Sequence, residues 1–363
     1  MQHRYLLITS LILLATAFET ISAQTVQRNT FTWEKKTINI GAVLTENGSV
    51  EAEYFARNDN QFPLVITDVV ADCGCTTVDY SKDSIGPGQL AGIKVRFDAD
   101  QKGGEFSKGI IVRTNEDIYG DTLFLEGINM PISENPERDF PHRMGTVGMR
   151  LPAVNFGYVM TNEPKIKYIE IHNFGAEAIV LHEDQTKLPT HLSASFEPAS
   201  IEPGQRGLIV MHYDGQAKND LGFFEERISV PMNSGEELDL KVLAVVYEYF
   251  PPVPKSLENL VPRLGITETD FDLREISANQ KVSRTISMTN TGKEPLNIRK
   301  VSTNCVCVDT KLGMDTLQPG DRTELTFTFD PKGRKGIDHK YITIFSNDPI
   351  NPVRTIVIRS SVR

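Results

Sequence analysis

The chain of 363 residues carries only 4 cysteines and 1 tryptophan, and beyond its N-terminal stretch it has no long apolar run. The missing run excludes a later transmembrane helix, which needs about 20 consecutive apolar residues. Positive charge is in deficit as well: 38 Lys and Arg against 48 Asp and Glu leave a net charge of −10. That balance argues against nucleic acid or an anionic membrane as a partner of the whole molecule. The deficit is uneven, because 255–363 holds 17 basic against 13 acidic residues and 1–254 holds 21 against 35. Solvated faces that differ in charge explain this, and head-to-tail contact between an acidic and a basic domain is the competing reading. Catalytic templates are missing too. There is no Gly-x-Ser-x-Gly elbow, and His182-Glu183-Asp184-Gln185-Thr186 lacks the second His of a zincin. Gly86-Pro87-Gly88 precedes no helical pattern, so it is no dinucleotide loop, and Lys102 stands where a calcium loop starting at Asp98 needs an oxygen. No stretch sustains a 3.6-residue period. The expectation is a protein that is not an enzyme and takes no cofactor.

What is present begins with an export signal. Arg4 supplies the positive end, 5–18 the apolar stretch, and Ile21-Ser22-Ala23 a small-residue cleavage site before Gln24, so 1–23 is expected to be a signal peptide. No Cys follows the apolar stretch, and lipid anchoring is not expected. The mature chain is expected in the periplasm, at the cell surface or in the medium.

The rest of the chain repeats itself. Ile85-Gly86-Pro87-Gly88-Gln89, Ile201-Glu202-Pro203-Gly204-Gln205 and Leu317-Gln318-Pro319-Gly320-Asp321 recur at 116 residues, as do Phe97-Asp98, Tyr213-Asp214 and Phe329-Asp330. Asn58, Asn173 and Asn290 keep nearly the same interval, and Ile40-Gly41, Phe156-Gly157 and Leu273-Arg274 open each unit. Within a unit the pattern alternates at period two, as in Ile93-Lys94-Val95-Arg96-Phe97 and Leu325-Thr326-Phe327-Thr328-Phe329. Further strands are expected at Ser49–Arg57, 109–114 and 121–127, and at 283–290, 340–346 and 353–361. About seven short strands per hundred residues is the pattern of an Ig-like sandwich. The fold expected is all-β: three tandem Ig-like β-sandwich domains, at 24–132, 133–250 and 251–363. Pro-rich linkers are expected at 129–141 and 250–262, the latter with four prolines and stiff enough to hold its neighbouring domains apart as a semi-rigid spacer.

Two Cys-x-Cys motifs, Cys73-Gly74-Cys75 and Cys305-Val306-Cys307, use all the cysteine and sit 232 residues apart in units one and three. On an extended strand the two Cα atoms stand about 6.6 Å apart, at the edge of disulfide geometry. Three readings are open. The cysteines are structural, as disulfides or buried thiols; or Cys73, Cys75, Cys305 and Cys307 hold a soft metal, copper(I) or zinc; or the pairs are redox-labile. Gly74 permits a bend that Val306 is expected to resist, so the first pair is expected to close more readily and the third-unit pair to be more often reduced. No Lys or Arg lies within three residues of either pair. Unit two has His191 in the place of Cys75, and a solvent-facing or hydrogen-bonded imidazole is expected there.

Asp72-Cys73-Gly74-Cys75-Thr76 followed by Ile85-Gly86-Pro87-Gly88-Gln89 and a strand ending Phe97-Asp98 resembles the bacterial domain-of-unknown-function family numbered 1573. That family is similar to the Hydin-type (ASH) and major-sperm-protein sandwiches. Unit three fits as well, through Ser346-Asn347-Asp348-Pro349, whereas unit two departs by lacking the cysteines. The resemblance implies an exported, non-enzymatic module with no established ligand. The partner expected is an envelope or surface protein or glycan; the competing function is a periplasmic copper, zinc or thiol-redox protein using the Cys-x-Cys pairs. Asp83-Ser84-Ile85, Asp121-Thr122-Leu123 and Asp315-Thr316-Leu317 also resemble an O-glycan acceptor of some Gram-negative gut bacteria, against the plainer reading of turn-forming residues.

Overall fold

The computed structural model describes residues 30–99, 102–181, 188–233, 235 and 237–363. The expected signal peptide and its cleavage site before Gln24 lie outside the described residues, as does His182.

Period-two alternation builds the strands. In Leu90–Asp98, Ala91, Ile93, Val95 and Phe97 turn inward, and in Arg322–Phe329, Thr323, Leu325, Phe327 and Phe329 do the same. The first sandwich has eight strands: β1 (Thr32–Trp33), β2 (Thr37–Leu44), β3 (Ser49–Arg57), β4 (Ile66–Ala71), β5 (Thr76–Tyr80), β6 (Leu90–Asp98), β7 (Gly104–Thr114) and β8 (Asp121–Met130). One sheet runs β1-β3-β6-β5 and the other β2-β8-β7-β4, with Leu64, Ile93, Ile110 and Leu123 buried among its core residues. The third sandwich repeats both orders, with Leu264–Ile266, Val282–Asn290, Arg322–Phe329 and Val308–Leu312 in one sheet. Asp270–Ile276, Val353–Val362, Gly336–Ser346 and Leu296–Thr303 lead the other. In the second, Ala153–Met160, Glu237–Tyr247 and Gly222–Pro231 face a five-stranded sheet. Each sandwich closes its own core. The fold is therefore all-β, three Ig-like sandwiches in tandem.

The sequence landmarks are structural devices. β2 runs parallel to β8 and breaks register between Asn39 and Ala42, as do its counterparts at Asn155/Tyr158 and Asp272/Glu275. At each break a residue with positive φ (Gly41, Gly157, Arg274) donates its N–H to the side chain two residues earlier (Asn39, Asn155, Asp272) at 2.8 Å. Such a bulge re-aims the strand. The three repeated asparagines are fully buried. Asn58 donates to the carbonyls of Phe62 and Ile85 at 2.9 and 2.8 Å, Asn173 to Glu177 and Ile201 at 2.8 and 2.9 Å, and Asn290 to Glu294 and Leu317 at 2.8 and 3.0 Å. Their backbone carbonyls accept from Gly88, Gly204 and Gly320, so each asparagine holds its Pro-Gly turn.

Contacts divide the chain into a unit ending at Ile132, with one sandwich, and a unit Ser133–Arg363, with two. Inside the second unit the sandwiches touch. Arg299 grips Glu248 with two hydrogen bonds of 3.1 and 3.2 Å, and Lys300 Nζ lies 2.7 Å from both Asp220 and the carbonyl of Leu221. Tyr247 packs on Phe345, with ring centroids 6.3 Å apart. The Pro-rich segment at 250–262 therefore joins sandwiches in contact, contrary to the spacing role expected of it, because complementary charges and aromatic rings meet beside it.

Two carboxylates make this unit acid-sensitive. Burial raises the Asp220 carboxyl, but Lys300, the Leu221 N–H and Lys218 together outweigh it and leave the group below the usual carboxylate range. Burial likewise raises Glu226, and hydrogen bonds from Lys218 and His191 hold it low. A carboxyl depressed in the folded state binds protons more readily when unfolded, so it stabilises above its unfolded value of about 4 and loses that as pH falls. The melting temperature of 133–363 is expected to drop between about pH 5 and 3, with a shallower drop in Glu226→Gln; identical slopes would dismiss the pairing.

Candidate functional site

Both Cys-x-Cys motifs occupy the same corner of the fold. β4 is the edge of one sheet and β5 the edge of the other, so Asp72–Cys75 carries the chain across the open side of the sandwich. Asn304–Cys307 does so in the third sandwich, between Leu296–Thr303 and Val308–Leu312. Each corner is a single turn: Thr76 N–H donates to the Cys73 carbonyl at 3.3 Å and Val308 N–H to that of Cys305 at 3.1 Å. The turn brings the Cα atoms to 5.3 and 5.1 Å, and both pairs are disulfides.

Both pairs are therefore closed, and the third-unit pair is not held open as its valine spacer led one to expect. Val306 does not keep its cysteines apart, because the middle residue of this turn needs no positive φ, at Gly74 or at Val306, and its side chain projects freely into solvent. The second sandwich builds the same corner without sulfur: Leu192 N–H donates to Pro189 and Asp214 N–H to His191, both at 2.8 Å. Closing a three-residue ring constrains the unfolded chain by only about 1.6 kcal/mol on the loop-entropy model. The corner does not depend on its disulfide.

The surroundings of the two pairs differ. At the first corner Asp72 accepts the Gly109 N–H at 2.8 Å and the Thr76 hydroxyl stands 3.3 Å from Cys73 Sγ. At the third, Arg334 Nη2 lies 2.9 Å from Cys305 Sγ, and the Cys307 N–H points at the same sulfur at 3.1 Å. Sequence reasoning missed this cation because it comes from the hairpin loop before Gly336–Ser346, far along the chain. Each of the candidate metal ligands Cys73, Cys75, Cys305 and Cys307 is bonded to its neighbour. Among the described residues no group of three or more His, Cys, Asp or Glu is placed to hold a metal ion.

His191, at the position of Cys75, is buried rather than solvent-facing. Its Nε2 lies 2.9 Å from Glu226, which also accepts from Lys218 at 2.7 Å, and its ring packs on Tyr213 at 5.0 Å. Burial pushes the Tyr213 phenol above its usual range. The hydroxyls of Ser84, Thr122 and Thr316 lie at exposed positions, each followed by a buried Ile or Leu.

A second feature lies on the outer face of Ala153–Met160, Glu237–Tyr247 and Gly222–Pro231. Tyr158, Val245 and Phe223 form one row across the three strands, and Met160 pairs with Tyr247 in the next. Tyr158 and Phe223 are each 64% exposed, and Tyr158 stacks on Tyr247 with centroids 5.4 Å apart. The signal in the sequence was the unbroken apolar run 242–247, which reads as a strand apolar on both faces.

The family model described as "Protein of unknown function (DUF1573)" matches residues 31–129 and 264–362, more than half of the chain. The chain belongs to this family. Both DUF1573 segments are the cysteine-bearing sandwiches, and the second sandwich lies between them. Among solved structures, a protein of unknown function from Porphyromonas gingivalis W83 is 16% identical, with 60% of this chain and 100% of that one covered and a TM-score of 0.42. The ASH/PapD-like domain 7 of human CEP192 is 8% identical over 31% of this chain and 92% of that one, with a TM-score of 0.26. No curated protein matches this DUF1573 chain. Among its described residues no helix is long and apolar enough to cross a membrane.

Proposed function

We propose that this chain is an exported binding or scaffold module of the cell envelope, acting by contact rather than catalysis. Its contact surface is the outer sheet face of the second sandwich, and its partner is an envelope protein or glycan. The observation that carries the reading is the row Tyr158, Val245 and Phe223 beside the stacked Tyr247, held on rigid strands with aromatic faces open to solvent. Exposed aromatic anchors on a rigid sheet are the residue types that dominate interface energetics. Copper or zinc binding would require free thiolates, and the four sulfurs are bonded in two pairs, Cys73–Cys75 and Cys305–Cys307.

The test is capture from native envelope. Tyr158→Ser combined with Phe223→Ser removes two anchors worth roughly 2 kcal/mol each, or about thirtyfold in affinity apiece. The captured partner is expected to be lost while the melting temperature stays within 2–3 °C, roughly the scale of a surface change. Equal capture by the double variant would refute the surface assigned.

A further inference from the structure

We infer that the Cys305–Cys307 disulfide is a thiol-exchange site, in which Arg334 stabilises Cys305 as a thiolate and an exported protein dithiol is the reductant. This goes beyond the binding reading and stands on separate residues. The pair sits half-buried at a corner of the sandwich whose middle residue, Val306, projects fully into solvent. Cys307 is the inner partner, packed against the hydrophobic core, whereas Cys305 faces the guanidinium of Arg334 at 2.9 Å. The same sulfur has the Cys307 N–H at 3.1 Å. Arg334 also touches Asp338 at 3.3 Å, and Asp338 is shared with Lys340, so one carboxylate is divided between two cations. Positive charge is left over at the sulfur.

A guanidinium and an N–H aimed at one sulfur are worth little to a neutral disulfide and much to a thiolate. They therefore stabilise the reduced pair and make the disulfide the stronger oxidant. The exchange balances as follows. A substrate thiolate attacks Cys305 Sγ, forming the mixed disulfide and breaking the Cys305–Cys307 bond; Cys307 leaves as thiolate and takes a proton from water. The second substrate thiolate then attacks its own partner sulfur in the mixed disulfide. Cys305 leaves as the thiolate held by Arg334. Two electrons pass from the dithiol to the pair, the substrate gains a disulfide, and one of its two protons is left in solution. Cys73–Cys75, whose corner has Asp72 and the Thr76 hydroxyl in place of a guanidinium, is the internal reference.

The experiment equilibrates the full chain in glutathione buffers of graded potential, traps thiols by alkylation and reads both pairs by peptide mass spectrometry. Cys305–Cys307 is expected to be reduced at a less reducing poise than Cys73–Cys75. Arg334→Gln is expected to lower its equilibrium constant for reduction by about tenfold, or about 30 mV, with Cys73–Cys75 unmoved and Arg334→Lys in between. A reduced dithiol peptide mixed with the wild-type chain is expected to gain its disulfide as Cys305–Cys307 is reduced. Equal titration of the third-sandwich pair in wild type and Arg334→Gln would overturn the role of Arg334. If Arg334→Gln does not fold, the wild type decides: a third-sandwich pair reduced no earlier than the first, or a peptide left reduced, overturns the site.

Discussion

Asn290→Ala is expected to lower the stability of the third sandwich by about 3–5 kcal/mol. Asn290 is fully buried and its amide satisfies three backbone groups at once. Nδ2 donates to the carbonyls of Glu294 and Leu317 at 2.8 and 3.0 Å, and Oδ1 accepts the Gly292 N–H at 3.0 Å. Alanine supplies none of these, so the three groups lose their side-chain partner. Each buried polar group left unpaired costs about 1–3 kcal/mol. At roughly 4–8 °C per kcal/mol, the third-sandwich transition should fall by about 12 °C or more. Asn290→Asp should fare no better, because a carboxylate cannot donate to either carbonyl and brings a charge into the core. Asn279→Ala, at an exposed turn, is the control and should move the transition by no more than a degree or two, as expected of a change below roughly 0.5 kcal/mol. A small shift in Asn290→Ala would show that the turn, and not the amide, holds this corner.

That corner explains why the repeat was legible. Asn290 and Gly320 are 30 residues apart in sequence yet share a 2.9 Å backbone hydrogen bond, and Asn58 with Gly88 at 2.7 Å and Asn173 with Gly204 at 2.9 Å repeat it. The landmarks persist together because they are one hydrogen-bonded object, and period-two alternation between them places the strands. Arg274 shows the limit: it adopts positive φ where the other copies have glycine, so composition alone did not reveal the bulge. The site was less legible for a physical reason. Sequence neighbours define a turn, but the electrostatics of a sulfur depend on whatever folds beside it, and Arg334 arrives from a loop 29 residues beyond Cys305. The expectation of a more easily reduced third-unit pair rested on the Val306 spacer, and the turn removes that reason. Contact between the second and third sandwiches showed in the sequence only as the less favoured of two readings of the uneven charge, and its pairs could not be named, since Glu248 and Arg299 belong to different repeats.

The second large effect is expected from Asp348→Ala, at about 3–5 kcal/mol. Asp348 is 1% exposed, and a carboxylate so deep needs several donors to be tolerated. It has them: Leu264 N–H at 2.9 Å, Ile350 and Asn351 N–H both at 3.0 Å, and the Arg263 guanidinium at 3.6 Å. Two of these donors lie in the loop that Asp348 starts, and the third opens the first strand of the sandwich, Leu264–Ile266. One side chain thus fastens the hairpin after Gly336–Ser346 to the place where the chain enters the domain. Alanine would leave three N–H groups unpaired and Arg263 without this carboxylate. Asp348→Asn keeps one accepting oxygen and should lose roughly half as much. The consequence should be local before it is global, because Leu264–Ile266 pairs only with Val282–Asn290 at the sheet edge. Amide exchange at Leu264 should therefore accelerate in Asp348→Ala well below the melting temperature, while Phe327 and Ile342 stay protected. A Leu264 amide that exchanges at the wild-type rate in that variant would show that strand pairing, and not the buried carboxylate, secures the start of the sandwich.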